Sequence, residues 1–418
     1  MYLPSSNTAL AKIVVILCAC FLISCSNDQD TKPQGDPSIS ETEENQPEPF
    51  DPALPRTVAT TDEPITLPAP ANGIAFWSHP DIPFHGLVIA ATPKGVFSHT
   101  LEGDEQLEDQ TGSAASINAK GAALAYFPKD DKSLNAKATA VFSTFDENNQ
   151  AFRFFTIDNA SREFSENILS IPYSDNFTQF CLSSNSAKNA IDIYILDQSK
   201  LTIHTLAKLP DGGFDLGEKE VRQIPDLQSC AVAPITKNGS VQNVYGITKA
   251  GNIVRLPSGD VVANTEIMNG HLAIFSSKKD PENPLSGSTI VNQFFVLDEE
   301  SAKIHILDSD SGALLGIISL EDYDEVKGVT GASSIAAGSG NFGGLYRAGA
   351  LALASSTDND QPAIRLTPFL AIARTLNLEV GTPVSLRSIA EQSSEGVKAI
   401  KPTLDISIGN IGSTPQPN

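Results

Sequence analysis

Basic residues are scarce in this chain. Against 50 Asp and Glu stand 28 Lys and Arg, for a formal net charge of −22. Such a field repels phosphate-rich polymers, so nucleic acid is excluded as an expected partner. Tryptophan occurs once and methionine twice, while 29 Gly and 27 Pro are spread along the chain. That balance disfavours a helical protein and suits short strands joined by turns. Histidine is also sparse, and neither His79 nor His85 stands in a metal-ligand spacing such as His-Glu-x-x-His. His204 and His305 fall within strand alternation, either packed or facing the surface. No Ser-His-Asp arrangement can be nominated. The glycine-rich run 338–344 is followed by neither a helix nor Lys-Ser/Thr, so it reads as a loop between strands and not a phosphate cradle. Asp308-Ser309-Asp310-Ser311-Gly312 begins like a calcium loop, but its twelfth position is Ser319, where a bidentate Glu is needed. A solvated turn is expected there.

Long apolar runs are missing except for Ile13 to Ile23, which follows Lys12 and has the length of a signal-peptide core rather than a membrane span. It ends in Leu22-Ile23-Ser24-Cys25, which resembles a bacterial lipobox. The resemblance implies removal of residues 1–24 and a lipidated Cys25, with enough buried methylenes for stable membrane anchoring. Ser26, in place of Asp, favours the outer membrane of a Gram-negative host. Cys18 and Cys20 leave with the leader. Cys181 and Cys230 then remain as an even pair in an oxidising compartment, either bonded or as two buried thiols. From residue 25 to 63 the chain holds ten acidic and two basic residues and almost no apolar periodicity, the composition of a disordered tether. A polar tail is expected over 390–418, with one further strand possible at Leu404–Ile408.

Between these tails the signal is all-β. Ile193–Leu196 turns at Asp197 into Leu201–Leu206, Phe294–Leu297 turns at Asp298 into Lys303–Leu307, and Val244–Thr248 turns at Gly251 into Ile253–Leu256. β-branched and aromatic alternation closed by Asp, Asn or Gly marks hairpins. From Asp158 to Asp197, Thr248 and Asp298 the intervals are 39, 51 and 50 residues. A period of that size with several strands per unit points to a β-propeller over 64–389, with a large β-sandwich as the competing architecture. One short helix is expected at Pro368–Leu378, where apolar residues recur at helical spacing.

Ala71-Asn72-Gly73-Ile74-Ala75-Phe76-Trp77-Ser78-His79-Pro80, Gln179–Leu182, Asp226–Pro234, Gly328–Ile335, Gly349–Ala354 and Pro368–Leu378 keep the order of motifs in the β-propeller phytases, which the chain resembles. The resemblance implies six blades around a channel, with Ca²⁺ ions held by carboxylates and used on inositol phosphates. Yet the family's Asp-Asp pair falls on Asn72 and Gly73, and its Asp-Ile-Glu-Gly on Met268 to His271, with Gly270 third. Its acidic run falls on Thr330 to Ala336, which includes Gly331 and Ser333, its Gln-x-Glu-Gly on Leu227–Cys230, and its Asn-Arg on Thr144-Phe145. Neutral side chains neither hold Ca²⁺ nor activate water. The expectation is therefore a polar, uncharged channel with no cofactor and no catalytic or metal residues. The chain would serve as a non-catalytic envelope binding or scaffolding propeller, its partner a protein or small molecule. The competing function is a Ca-dependent 3-phytase with residual activity on inositol phosphates.

Overall fold

The repeat is written in the turns. Asp146, Asp197 and Asp298 stand at the ends of the second strands of three sheets, and each accepts a hydrogen bond from the backbone N–H two residues on, at 3.1, 3.0 and 3.2 Å. Thr248 does the same work with its hydroxyl, accepting from Asn252 N–H at 3.2 Å. A side chain that mimics a backbone turn fixes where the hairpin reverses. The true intervals, 146 to 197 to 248 to 298, are 51, 51 and 50 residues. Asp158, from which the sequence period was counted, closes a third strand, Ala151–Ile157, so the interval of 39 mixed unlike strands.

The computed structural model describes residues 50–59, 64–101, 108–128, 137–209, 211–233, 242–279, 289–322, 328–329, 331–356 and 361–391. The expected leader with Cys25, most of the expected tether and the expected tail with Leu404–Ile408 lie outside these residues. Within them the chain forms a six-bladed β-propeller. The inner strands of blades 1 to 6 are Gly73–Trp77, Ala119–Tyr126, Gln179–Asn185, Leu227–Ala233, His271–Lys279 and Ser334–Gly338. Each neighbours the next, and the sixth returns to the first. Each blade then runs outward through antiparallel strands in sequence order.

A polar side chain bridges the inner strands at every junction. Ser78 N–H donates to Tyr126 Oη (3.0 Å), Ser184 Oγ to Tyr126 O (2.5 Å), and Cys230 N–H to Gln179 Oε1 (2.7 Å). Leu272 N–H donates to Ser229 Oγ (2.9 Å), Ser276 N–H to Ser339 Oγ (2.8 Å), and Ser333 Oγ to Ala71 O (3.4 Å). Inner strands have no neighbour on their channel edge, so these bonds satisfy backbone groups that the sheet ladder leaves open. Cys181 and Cys230 are bonded across the junction of blades 3 and 4, with Cα atoms 6.1 Å apart. Their sequence separation of 49 makes this a long closed loop, which in the chain-entropy account contributes about 4 kcal/mol.

Between the blades, phenylalanine does the packing that tryptophan does not. Phe152 sits within 4.9–5.5 Å of Phe145, Tyr173, Phe177 and Phe180, mostly edge to face, and joins blade 2 to blade 3. The expected late helix is α1, Phe369–Thr375, stacked on blade 5 through Phe369 and Phe275 at 3.6 Å.

Two boundaries differ from the sequence reading. Pro55–Ala59, placed in the tether, is a strand paired in parallel with Leu314–Glu321 on the outer edge of blade 5, and Val58 is buried in that core. A segment with a single large apolar residue gives no periodicity; its partner strand supplies the order. Ile65–Thr66 pairs with Pro362–Pro368 and so completes blade 6 with a strand from the other end of the chain, which closes the ring. At the far end, α2, Leu386–Glu391, runs past the expected limit of residue 389 because Ala390 packs between blades 1 and 2.

Candidate functional site

The inner strands all run the same way, so one channel mouth gathers their starts and the other their ends. The positions singled out by family resemblance fall at the first mouth. Asn72 is exposed just ahead of blade 1, Met268 is exposed and Gly270 buried ahead of blade 5. Gly331 and Ser333 are exposed ahead of blade 6, and Ala336 is half-buried within its inner strand. The fold thus brings them to one place. It does not leave room for carboxylates at all of them. A Cβ on Gly73 would stand 2.4 Å from Ala122 N and 2.7 Å from Gly121 C, backbone that cannot swing aside. A Cβ on Gly270 would meet Val296 at 2.9 Å and Ile247 at 3.2 Å, an apolar setting hostile to an ionised group. Ser229 and Ser333 are spent on the junction bonds, and Phe145 is part of the aromatic cluster.

Across the six inner strands there is no Asp or Glu at all, in a chain that carries 50. Their basic residues are Lys120, His271, Lys278 and Lys279. Lys120 lies 4.8 Å over the Phe177 ring, Lys279 pairs with Glu379, and His271 lies 3.7 Å from Glu299. Burial holds the His271 imidazole below its ordinary pKa, while Glu299 pulls the other way. The inner strands thus carry three lysines and a histidine but no acid, with small and apolar residues between. The acidic residues sit elsewhere: Asp146, Asp158, Asp197, Asp298 and Asp308 cap turns. Among the described residues no group of three His, Cys, Asp or Glu is placed to hold a metal ion.

The second mouth is crossed by the chain's own C-terminal segment. After α1 the chain turns back across the channel, and Thr382–Pro383 pairs with Ser277 and Lys278 on the channel edge of blade 5. Val384 N–H donates to Ser276 O at 3.1 Å. The strap continues into α2, which docks on blades 1 and 2. Beneath it remains a cavity of about 50 Å³ lined by Phe76, Tyr126, Val232, Ile274, Phe342 and Val384. Outside it lies a cleft of about 250 Å³ between the strap and the blade-1 loop, lined by Ser78, His79, Asp81, Asn341, Arg387 and Glu391.

Arg387 bolts the strap down. Its side chain is 3 % exposed, and it donates to Ser78 O (2.7 Å), Ala138 O (2.9 Å) and Asn159 Oδ1 (2.9 Å), with Glu391 Oε1 at 3.4 Å. Its guanidinium also lies 4.6 Å over the Tyr126 ring and 5.4 Å over Trp77.

No protein-family model matches the chain, and no curated protein matches it. Solved structures do. A luciferin-regenerating enzyme is 10 % identical over 78 % of this chain and 100 % of its own, with a TM-score of 0.41. The dihydro-heme d1 dehydrogenase NirN is 14 % identical over 73 % of this chain and 62 % of its own, at 0.36. An exotype rhamnogalacturonan lyase is 10 % identical over 78 % and 60 %, at 0.32.

Two features of this face were not legible in the sequence. His79 and His85 face one another edge to face at 5.3 Å, although six residues separate them, because the turn Pro83–His85 folds back on the loop. Arg387 carried little sequence signal, as three of its four acceptors are 228 to 309 positions away along the chain and only Glu391 is local.

Proposed function

We propose that the chain is a non-catalytic binding propeller, exported and held on the bacterial envelope by a lipid on Cys25. In this reading it follows the plan of the β-propeller phytases without their metal chemistry. The observation that carries it is the channel wall: six inner strands without one carboxylate. Ca²⁺ takes six to eight oxygen ligands, several of them charged. The residues present do not fit it: a side chain at Gly73 would run into the backbone of blade 2, and no inner strand supplies a carboxylate. No catalytic step through calcium is therefore assigned. The bonded Cys181–Cys230 pair supports residence in an oxidising compartment.

Incubated with phytate, the purified protein is expected to release no phosphate, with or without millimolar Ca²⁺, and Ca²⁺ is expected to leave its Tm unchanged. A site filled at a hundredfold excess over Kd would add about 2.7 kcal/mol. Chelator-sensitive phosphate release would establish the competing phosphomonoesterase reading. Mass spectrometry of the membrane-extracted protein is expected to find a diacylated Cys25 as first residue; a mature start at Ser26 or an uncleaved leader would remove the anchor from the proposal.

A further inference from the structure

We infer that the C-terminal strap is a pH-sensitive closure of the channel, released when His79 takes up a proton. The geometry rests on one ring nitrogen. His79 Nδ1 accepts two backbone hydrogen bonds, from Asp81 N–H at 3.1 Å and from Ile82 N–H at 2.8 Å. The neutral imidazole therefore carries its proton on Nε2. An imidazolium has no acceptor, so protonation at Nδ1 must break both bonds and unfold the turn that they hold. That turn is the strap's landing site. Ser78, one residue before it, offers the carbonyl that receives Arg387 Nε. Asp81, inside it, holds Lys137 at 2.6 Å, one residue from the Ala138 carbonyl that receives Arg387 Nη1.

The charges around the ring favour release over accommodation. From its own loop His79 faces Asp81, already paired with Lys137, and from the adjoining turn His85. From the strap it faces Arg387, whose neighbour Glu391 is the acid of α2, and from blade 2 it faces Arg162. A proton added here meets more cations than free anions. Burial, His85 and Arg387 together hold the ring below its ordinary 6.5, with Asp81 opposing. Of these charges only Arg387 leaves with the strap, and its departure makes the closed form bind protons less readily than the open form. Closure is complete above about pH 6.5 and is lost as the pH falls through the closed-state value. What opens is the end of the channel over Phe76, Tyr126, Ile274 and Val384.

The test is hydrogen–deuterium exchange on the full chain at about pH 7.5 and 5, corrected for the intrinsic rate. Peptides within 378–391 are expected to lose protection by roughly fivefold or more at the lower pH. Peptides of blade 3 should keep theirs. His79→Asn, whose Oδ1 replaces the acceptor without titrating, should abolish the response, and His79→Ala should leave the strap open at both values. Unchanged protection in the wild type, loss shared by blade 3, or a response surviving in His79→Asn each overturns the inference. The wild type supplies a check that needs no variant: the NMR titration midpoint of the His79 Cε1–H should coincide with the transition in Trp77 fluorescence, the chain's sole tryptophan, whose ring lies 5.5 Å from His79. Separated midpoints overturn it equally.

Discussion

Replacing Arg387 by Ala is expected to destabilise the propeller by about 3–5 kcal/mol, the range for removing one member of a buried, charge-assisted network. The loss has three sources. The carbonyls of Ser78 and Ala138 lose their donor. Glu391 loses its partner, and the faces of Tyr126 and Trp77 lose the cation that covers them. Arg387→Lys should recover little, because an ammonium cannot reach three divergent acceptors from one position. Urea unfolding followed by circular dichroism measures the effect, with Ser388→Ala, an exposed neighbour on the same helix, as the reference. A change below about 1 kcal/mol for Arg387→Ala would mean that the strap is held by its strand pairing and Val384 alone.

Gly73→Asp is expected to cost more than 4 kcal/mol or to abolish folding, whereas Asn72→Asp at the next position should stay within about 0.5 kcal/mol. The two changes place the same carboxylate at the same channel mouth. They differ in space: Asn72 is exposed, while a Cβ at 73 runs into the backbone of blade 2 at Gly121 and Ala122. That backbone cannot retreat, because Gly121 adopts φ +71° in the bulge between Lys120 and Ala123 and is backed by the Phe180 ring, 2.8 Å from where its own Cβ would stand. Thermal melting of the two variants side by side decides the matter. A Gly73→Asp protein that melts with the wild type would show that the inner strands can part, and would reopen the question of a cation at this mouth.

Much of the architecture was open to reading in advance because it rests on local chemistry. A hairpin needs only alternation and a turn residue, so the strands around Asp197, Thr248 and Asp298 were legible one by one, and their spacing exposed the repeat. The helix at Phe369–Thr375 was legible for the same reason, from apolar spacing over two turns. The exact period was not: Asp158 and Asp146 both cap turns, and only the strand order tells which of them matches Asp197. Pro55–Ala59 was missed because an edge strand borrows its order from a neighbour more than 250 residues away.

The sequence by itself determined an all-β repeat protein with a strong excess of acidic residues, an apolar run ahead of Cys25, and neutral residues at the positions singled out by resemblance. These follow from composition, short-range periodicity and residue identity, none of which requires knowing what lies across the channel. The tertiary structure decided the rest. It showed that Gly73 is obligatory because another blade's backbone occupies its side-chain space, that Cys181 and Cys230 meet, and that the chain's last described residues cross one end of the channel. It also set His79 as the acceptor of its own loop, beside an arginine from the opposite end of the chain. Each of these is a contact between residues far apart in sequence, fixed by ring closure of six blades, and no local pattern encodes such a meeting.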